Sequence, residues 1–240
     1  QGDTTSVLAI ALAAFHRNIK IIHLEAGLRT YDLQNPYPEE LNRQVVSRMA
    51  AVNLCPTQEA YDNLKREKVS GASYVVGNTV LDNLVDIVPK YTNKVVVTMH
   101  RRENHHLIPE WFGELDKIAK THGDLEFILP IHPNPNVIKH RGLLKHVNVV
   151  DALEYDEFIR LLSECKFVIT DSGGLQEESS FLRKKCIVCR ETTERIEGMG
   201  IFSYLSTNPG ELVDLVDWVN NNHIPSTDEE CPYGDGQAAM

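Results

Sequence analysis

Positive charge is what this sequence is short of: 24 Lys and Arg stand against 34 Asp and Glu among 240 residues, a formal net charge of −10. That balance argues against a face competing for the phosphates of a nucleic acid, though not against a small anion held in a local pocket. Long apolar runs are also missing. The longest, Val7 to Phe15, is nine residues, about half of the ~20 that span a bilayer, so neither a transmembrane helix nor a signal peptide is expected. Cysteines number five; a small, odd count without an export signal does not read as a disulfide framework and fits reduced thiols in a cytoplasmic protein. Compositional bias is absent as well, since 42% hydrophobic and 24% charged residues with 14 Gly and 11 Pro lie in the ordinary globular range. An initiator Met is lacking: Gln1-Gly2-Asp3 reads as a strand-to-helix junction, and a piece of a longer protein is expected.

What is present is an alternation. Short apolar strand candidates at Lys20–Leu24, Val52–Cys55, Tyr74–Val76, Lys94–Met99, Leu125–Pro130, Val147–Val150, Phe167–Thr170 and Lys185–Cys189 are separated by helical periodicity at Thr5–His16, Pro38–Ala51, Gln58–Lys68, Thr79–Val88, Pro109–Thr121, Tyr155–Glu164, Gly174–Leu182 and Pro209–Asn220. This predicts the α/β class, with parallel sheets covered by helices on both faces and ligands at the carboxyl ends of the strands. The polar stretch Pro89-Lys-Tyr-Thr-Asn93 marks a boundary between two stacked domains with a cleft between them. Cys186 and Cys189 have Cys-x-x-Cys spacing inside an apolar run, where an alternating strand sends the two sulfurs to opposite faces. A core strand is the expectation, with a redox or metal pair as the alternative.

The sharpest local signal is Thr170-Asp171-Ser172-Gly173-Gly174-Leu175-Gln176-Glu177-Glu178, an apolar strand running into two glycines and a helix. Glycines admit close backbone approach, and the N–H groups of a helix start attract an anion. Ser172 adds a hydroxyl, and Glu178, about one turn on, can accept from a ribose diol. A tight turn capped by Asp171 or Ser172 is the rival reading. Asp3 and Glu25 both follow strand candidates, and Glu39 and Arg43 are four apart on one helix face, the favourable order for an ion pair. Carboxylates gathered in this way suit acid–base work; alternatively Glu39 or Glu40 only complements the helix dipole. His100-Arg101-Arg102 at another strand end offers two cations and an imidazole to a diphosphate. His132-Pro-Asn-Pro135 stands at the next strand end. His105 and His106 are adjacent and form no His-x-x-x-His pair, so no metal site is expected. Arg190-Glu-Thr-Thr-Glu-Arg195 reads either as a contact to substrate or as a charged solvent loop.

Taken in order, Gly2-Asp-Thr-Thr5, His23-Leu-Glu-Ala-Gly-Leu-Arg-Thr30, Pro38-Glu-Glu-Leu-Asn-Arg43, Gly77-Asn-Thr-Val80, His100-Arg-Arg-Glu-Asn104, His132-Pro-Asn-Pro135, Asp171-Ser-Gly-Gly-Leu-Gln-Glu-Glu178, Thr192-Thr-Glu-Arg195 and Pro232-Tyr-Gly-Asp-Gly-Gln237 resemble the non-hydrolysing UDP-N-acetylglucosamine 2-epimerase family. The hydrolysing relatives carry a His-rich Gly-Gly-Glu segment where this chain has His23-Leu-Glu-Ala-Gly27. The resemblance implies two Rossmann-like domains of the glycosyltransferase-B-like kind. Residues 1–88 would be the C-terminal part of an incomplete first domain and 89–207 the UDP-binding second domain, with 208–240 a C-terminal helix and tail returning toward the first. It implies UDP in the cleft, no cofactor or metal, a cytoplasmic setting, and a homodimer for the intact protein. The reaction implied is interconversion of UDP-N-acetylglucosamine and UDP-N-acetylmannosamine by loss and re-addition of UDP through a 2-acetamidoglucal. Asp3, Glu25 and Glu39 become acid–base candidates, Arg43 their orienting partner and His100 the stabiliser of the departing diphosphate. Ser172, Gly173 and Gly174 would hold the diphosphate and Glu178 the ribose. Glu39, Arg101 and His132 match positions near a second, activating substrate molecule. A Gly-Thr-Arg-Pro-Glu loop of the family has no counterpart here, and Ile196 stands where Pro is usual. A UDP-binding but inert fragment and a UDP-sugar-dependent glycosyltransferase are the alternatives.

Overall fold

Thr4 and Thr57 each precede a helix and cap it: the Thr4 hydroxyl accepts from Val7 N at 3.3 Å and that of Thr57 from Ala60 N at 3.1 Å, each satisfying an N–H that the helix cannot. The computed structural model describes residues 1–240 and divides them into two compact units, the first comprising 1–85, 192–197 and 232–240. Its elements are α1 (Thr5–His16), β1 (Ile22–Leu24), α2 (Glu39–Met49), β2 (Val52–Cys55), α3 (Gln58–Arg66) and β3 (Ala72–Val75). The strands form a three-stranded parallel sheet in the order β1-β2-β3, with Leu24 opposite Leu54 and Cys55 opposite Val75. Gly2 N donates to Leu24 O at 3.0 Å, which brings Asp3 to the carboxyl end of β1. Thr79–Leu84 is a short 3-10 turn in place of the helix expected to run to Val88. The Asp82 carboxylate accepts from Ala238 N and Ala239 N, and Pro89 disfavours helical backbone at Val88.

The second unit comprises 86–191 and 198–231. It contains β4 (Lys94–Thr98), α4 (Ile108–Thr121), β5 (Glu126–Pro130), the single turn α5 (Pro135–Ile138), β6 (Asn148–Val150), α6 (Tyr155–Glu164), β7 (Phe167–Thr170), α7 (Gly173–Phe181), β8 (Cys186–Cys189), β9 (Ser203–Ser206) and α8 (Leu212–Asn221). All six strands are parallel, in the order β6-β5-β4-β7-β8-β9. The strand order therefore reverses between β4 and β7, and in open parallel sheets the crevice beyond the carboxyl ends of two such strands is where ligands bind. Strand β9 is absent from the sequence-derived set because Ser-Tyr-Leu-Ser has no apolar run of its own. It exists by pairing on β8, with Ile187 opposite Tyr204.

One face of this sheet is sealed by Trp111, Phe112 and Leu115 of α4 and by Leu212, Val216 and Val219 of α8, packed with Phe127 and Phe167. Helix α8, which the sequence division groups with the tail, thus lies in the core of the second unit, while residues 232–240 belong to the first. Cys186 and Cys189 are free and fully buried on β8, three apart and so on opposite faces of the strand. Burial pushes the Cys186 thiol up to about 12, the behaviour of a core side chain and not of a nucleophile. No helix is long and apolar enough to cross a membrane.

Candidate active site

In the first unit, the residue after β1 takes an unusual conformation. Glu25 has φ of 65°, the left-handed region that side-chain-bearing residues rarely occupy. Its neighbours hold it there: Ala26 is buried with its N–H bonded to Leu54 O at 2.9 Å, and Gly27 lies so close to α3 that a Cβ would sit 2.1 Å from Ala60 O. The Glu25 carboxylate is turned off the strand end, where Arg195 Nη2 meets Oε1 at 3.2 Å. Asp3 Oδ2 receives Arg43 Nη2 at 2.6 Å, and Asp3 O accepts from Asn42 Nδ2 at 2.8 Å. His23 ties the two strand-end segments together, its Nε2 2.9 Å from Gly2 O and its Nδ1 3.4 Å from the Ser47 hydroxyl. Burial lowers its pKa, so it serves as a neutral strut.

Burial raises the pKa of Glu25; Arg195 draws it back, Asp3 pushes it up, and Arg43 and Glu194 act more weakly in opposite directions. A buried carboxyl set between two cations and two further carboxylates holds its proton more tightly than an exposed one, a property found in acid–base groups. Arg43 does not follow the helix-face expectation. Its ion pairs go to Asp3 and to Glu40, 3.7 Å away, while Glu39 is half-buried at the first position of α2. Glu40 is the buried member of the pair: it accepts from Thr30 N and Tyr31 N, both at 3.1 Å, and from Gln44 Nε2 at 2.7 Å. It fixes the loop after β1 and is more than a complement to the helix dipole.

In the second unit, the fully buried Asp171 follows β7, and its side chain turns back instead of capping α7. It accepts from His100 N at 3.0 Å, Arg101 N at 2.8 Å and Asn104 Nδ2 at 3.1 Å, and Asn104 also donates to Cys189 O at 2.8 Å. One carboxylate thereby joins the ends of β4, β7 and β8. Ser172 occupies the N-cap position of α7 without a side-chain cap bond, which leaves its hydroxyl and the first helical N–H groups able to serve an anion. A Cβ on Gly174 would meet nothing within 4 Å. Glu178 is buried, and burial together with the Glu177 charge pushes its carboxyl up to about 7 against a bond from Tyr155. His100 stacks on His132, centroids 4.9 Å apart. Burial lowers the His100 pKa, the Asp171 charge opposes this, and His132 and Arg101 reinforce it. No group of three or more His, Cys, Asp or Glu could hold a metal ion.

The structure thus gathers Asp3, Glu25 and Arg43 in one unit, and His100, Arg101, His132 and Ser172–Gly174 at the strand ends of the other. Sequence reasoning missed the positioning groups Asp171, Asn104, Glu40 and His23. Each lies within one of the motifs quoted above, which marks the residue but not its partners. The Thr192–Arg195 segment is not a solvent loop, since Glu194 and Arg195 are buried.

The whole chain, residues 1–240, matches the family model described as UDP-N-acetylglucosamine 2-epimerase. It is 36% identical over 279 residues to the protein of that name from Campylobacter jejuni, covering 99% of this chain and 71% of that protein. Among solved structures, that of UDP-GlcNAc 2-epimerase from Neisseria meningitidis bound to UDP-GlcNAc superposes with a TM-score of 0.88 at 32% identity, over 99% of this chain and 72% of that one. The Methanocaldococcus jannaschii enzyme in complex with UDP-GlcNAc and UDP gives 0.85 at 29% identity, over 99% and 72%.

Proposed function

The chain belongs to the UDP-N-acetylglucosamine 2-epimerase family, and from that premise we propose that it is an isomerase interconverting UDP-N-acetylglucosamine and UDP-N-acetylmannosamine. A carboxylate removes the proton from C2, the C1–O bond to UDP breaks with its electron pair leaving on the diphosphate, and 2-acetamidoglucal results. UDP then re-adds at C1 while a proton reaches C2 from the opposite face. Asp3, Glu25 and Glu39 are the acid–base groups of this scheme, and Arg43 orients Asp3. His100 donates to the departing diphosphate, Ser172, Gly173 and Gly174 hold it, and Glu178 takes the ribose hydroxyls. Glu39, Arg101 and His132 are the candidates for a second, activating substrate molecule. The setting is cytoplasmic, and the intact protein is a homodimer.

The observation that carries this reading is the pairing of Asp3 and Glu25 with Arg43 and Arg195, which supports an acid–base role for the two carboxylates. Proton NMR of UDP-N-acetylglucosamine incubated with the protein in heavy water tests it. Deuterium is expected at C2 together with UDP-N-acetylmannosamine. Calorimetric UDP binding without deuterium incorporation would leave a nucleotide-binding protein and remove the epimerase.

A further inference from the structure

Three motifs in the sequence have no place in the scheme above: Gly77-Asn-Thr-Val80, Thr192-Thr-Glu-Arg195 and Pro232-Tyr-Gly-Asp-Gly-Gln237. In the first unit they meet. The Tyr233 ring is fully buried, its hydroxyl donates to Arg195 O at 3.1 Å, and its own carbonyl accepts from Asn78 N at 3.0 Å. The crossing depends on two glycines in the left-handed region: Gly77 has φ of +84°, Gly234 has +126°, and a Cβ on Gly234 would stand 3.0 Å from Gly77 Cα. Asp82 clamps the far end by accepting from Ala238 N at 3.0 Å and Ala239 N at 2.8 Å. At the near end, Thr192 Oγ1 accepts from Asn35 Nδ2 at 3.1 Å, and Thr193 Oγ1 accepts from Arg195 N at 3.2 Å.

What emerges from this bracket is one side chain. Arg195 is buried, its Nη1 paired with the neighbouring Glu194 and its Nη2 with Glu25 Oε1 at 3.2 Å, across 170 positions of sequence. We infer that the three motifs form a single bracket whose purpose is to hold the Arg195 guanidinium against the Glu25 carboxylate, which makes Arg195 a positioning residue for that group. The inference rests on the reading of Glu25 as an acid–base residue. A guanidinium fork fixes a carboxylate in direction as well as in charge, and Glu194 fixes the fork in turn. The charges facing Glu25 are Arg195 and Glu194 from this segment, Asp3 from before α1 and Arg43 from α2. Of the two cations, Arg195 is the one bonded to Glu25, so its removal leaves burial, Asp3 and Glu194 to favour the protonated form against Arg43 alone.

The test is a carboxyl carbon-13 NMR titration of the whole chain, with the Glu25 signal identified by its loss in Glu25→Gln. Arg195→Gln is expected to move the Glu25 midpoint to higher pH by about one pH unit, Tyr233→Phe to move it the same way by less, and Arg195→Lys to keep it nearer the parent. Folded Arg195→Gln and Tyr233→Phe proteins with an unmoved Glu25 signal would overturn the inference, as would an Arg195→Lys protein shifted as far as Arg195→Gln. Should Arg195→Gln not fold, Tyr233→Phe alone decides, an upward shift supporting the bracket and no shift ending it. No turnover is read, so a protein that fails as an epimerase still answers this question.

Discussion

The two units are built by different means. In the second, 23 buried residues form one cluster around β4, β5, β7, β8, α4 and α8, and its sheet has six strands. The first has three strands and a buried cluster of only Ala26, Cys55, Ala60 and Leu64. Leu28, Val46, Leu81, Leu84 and Tyr233 are buried as well, but beside them Glu40, Asn42, Arg43, Ser47, Asn53, Thr57 and Asn63 are all buried too. Apolar side chains on α1 and β1 are conversely exposed, Ile10 at 71% and Ile22 at 65%. Apolar burial is non-directional and tolerant, whereas a buried polar group costs stability as soon as its partner is lost. The second unit therefore offers a rigid platform at its strand ends. The first holds Asp3, Glu25 and Glu40 in a network of ion pairs and hydrogen bonds.

The largest effects should fall on each unit by its own mechanism. Phe127→Ala opens a cavity in the second core and is expected to cost about 4 kcal/mol. Gly27→Ala places a Cβ against the Ala60 carbonyl at positive φ and is expected to cost about as much. Hydrogen exchange read strand by strand separates them: Phe127→Ala should speed exchange in β4 and β7, and Gly27→Ala in β1 and β2. A uniform response in both sheets would erase the distinction between the units.

A pH dependence comes next. Glu178 has its carboxyl pushed up to about 7 from an ordinary 4.5, so the folded state binds the proton more tightly than the unfolded chain. The associated stability is present in full below about pH 4.5 and is lost as pH rises to about 7, by at most about 3 kcal/mol. Urea unfolding at pH 5 and pH 8 should show that Glu178→Gln removes this loss, while calorimetry shows weaker UDP binding. A Glu178→Gln protein with the parent's pH dependence would place the titration elsewhere.

Asp171→Asn is a smaller perturbation, expected to cost about 2 kcal/mol because an amide cannot accept from all three donors. It should also lower the His100 midpoint in a histidine NMR titration, since the charge that raises it is gone, and should weaken UDP binding about tenfold. The smallest effect is expected at Gly174. Alanine there meets no protein atom and should stabilise α7 by about 0.5–1 kcal/mol, while calorimetry shows UDP binding reduced. Loss of stability at that position would mean that the glycine serves the turn and not a ligand.

Much of the platform was legible in the sequence. The strands β4, β7 and β8 are short runs of Val, Ile, Phe and Cys buried on both faces, and such runs announce themselves. The Ser172-Gly173-Gly174 turn announces itself too, because its chemistry is local. Less could be read of the first unit's charged network. Asp3 and Glu25 were visible as residues that follow strands, but the partner of Arg43 was misjudged, since helix spacing allows Glu39 and packing selects Asp3 and Glu40. Strand β9 and the place of α8 in the second unit could not be read at all, for each exists only through packing on distant partners, whereas the return of the tail to the first unit was implied by the resemblance.

The sequence by itself determined the alternation of strand and helix, the core placement of Cys186 and Cys189, and the glycine-fronted helix start, because periodicity and backbone freedom are properties of neighbouring residues. Only the tertiary structure decided that Asp171 turns back to hold His100 and Arg101, and that Arg195 meets Glu25 across 170 positions. Electrostatic pairing depends on distance in space, and the path of the chain between two residues is fixed by packing that no local pattern records.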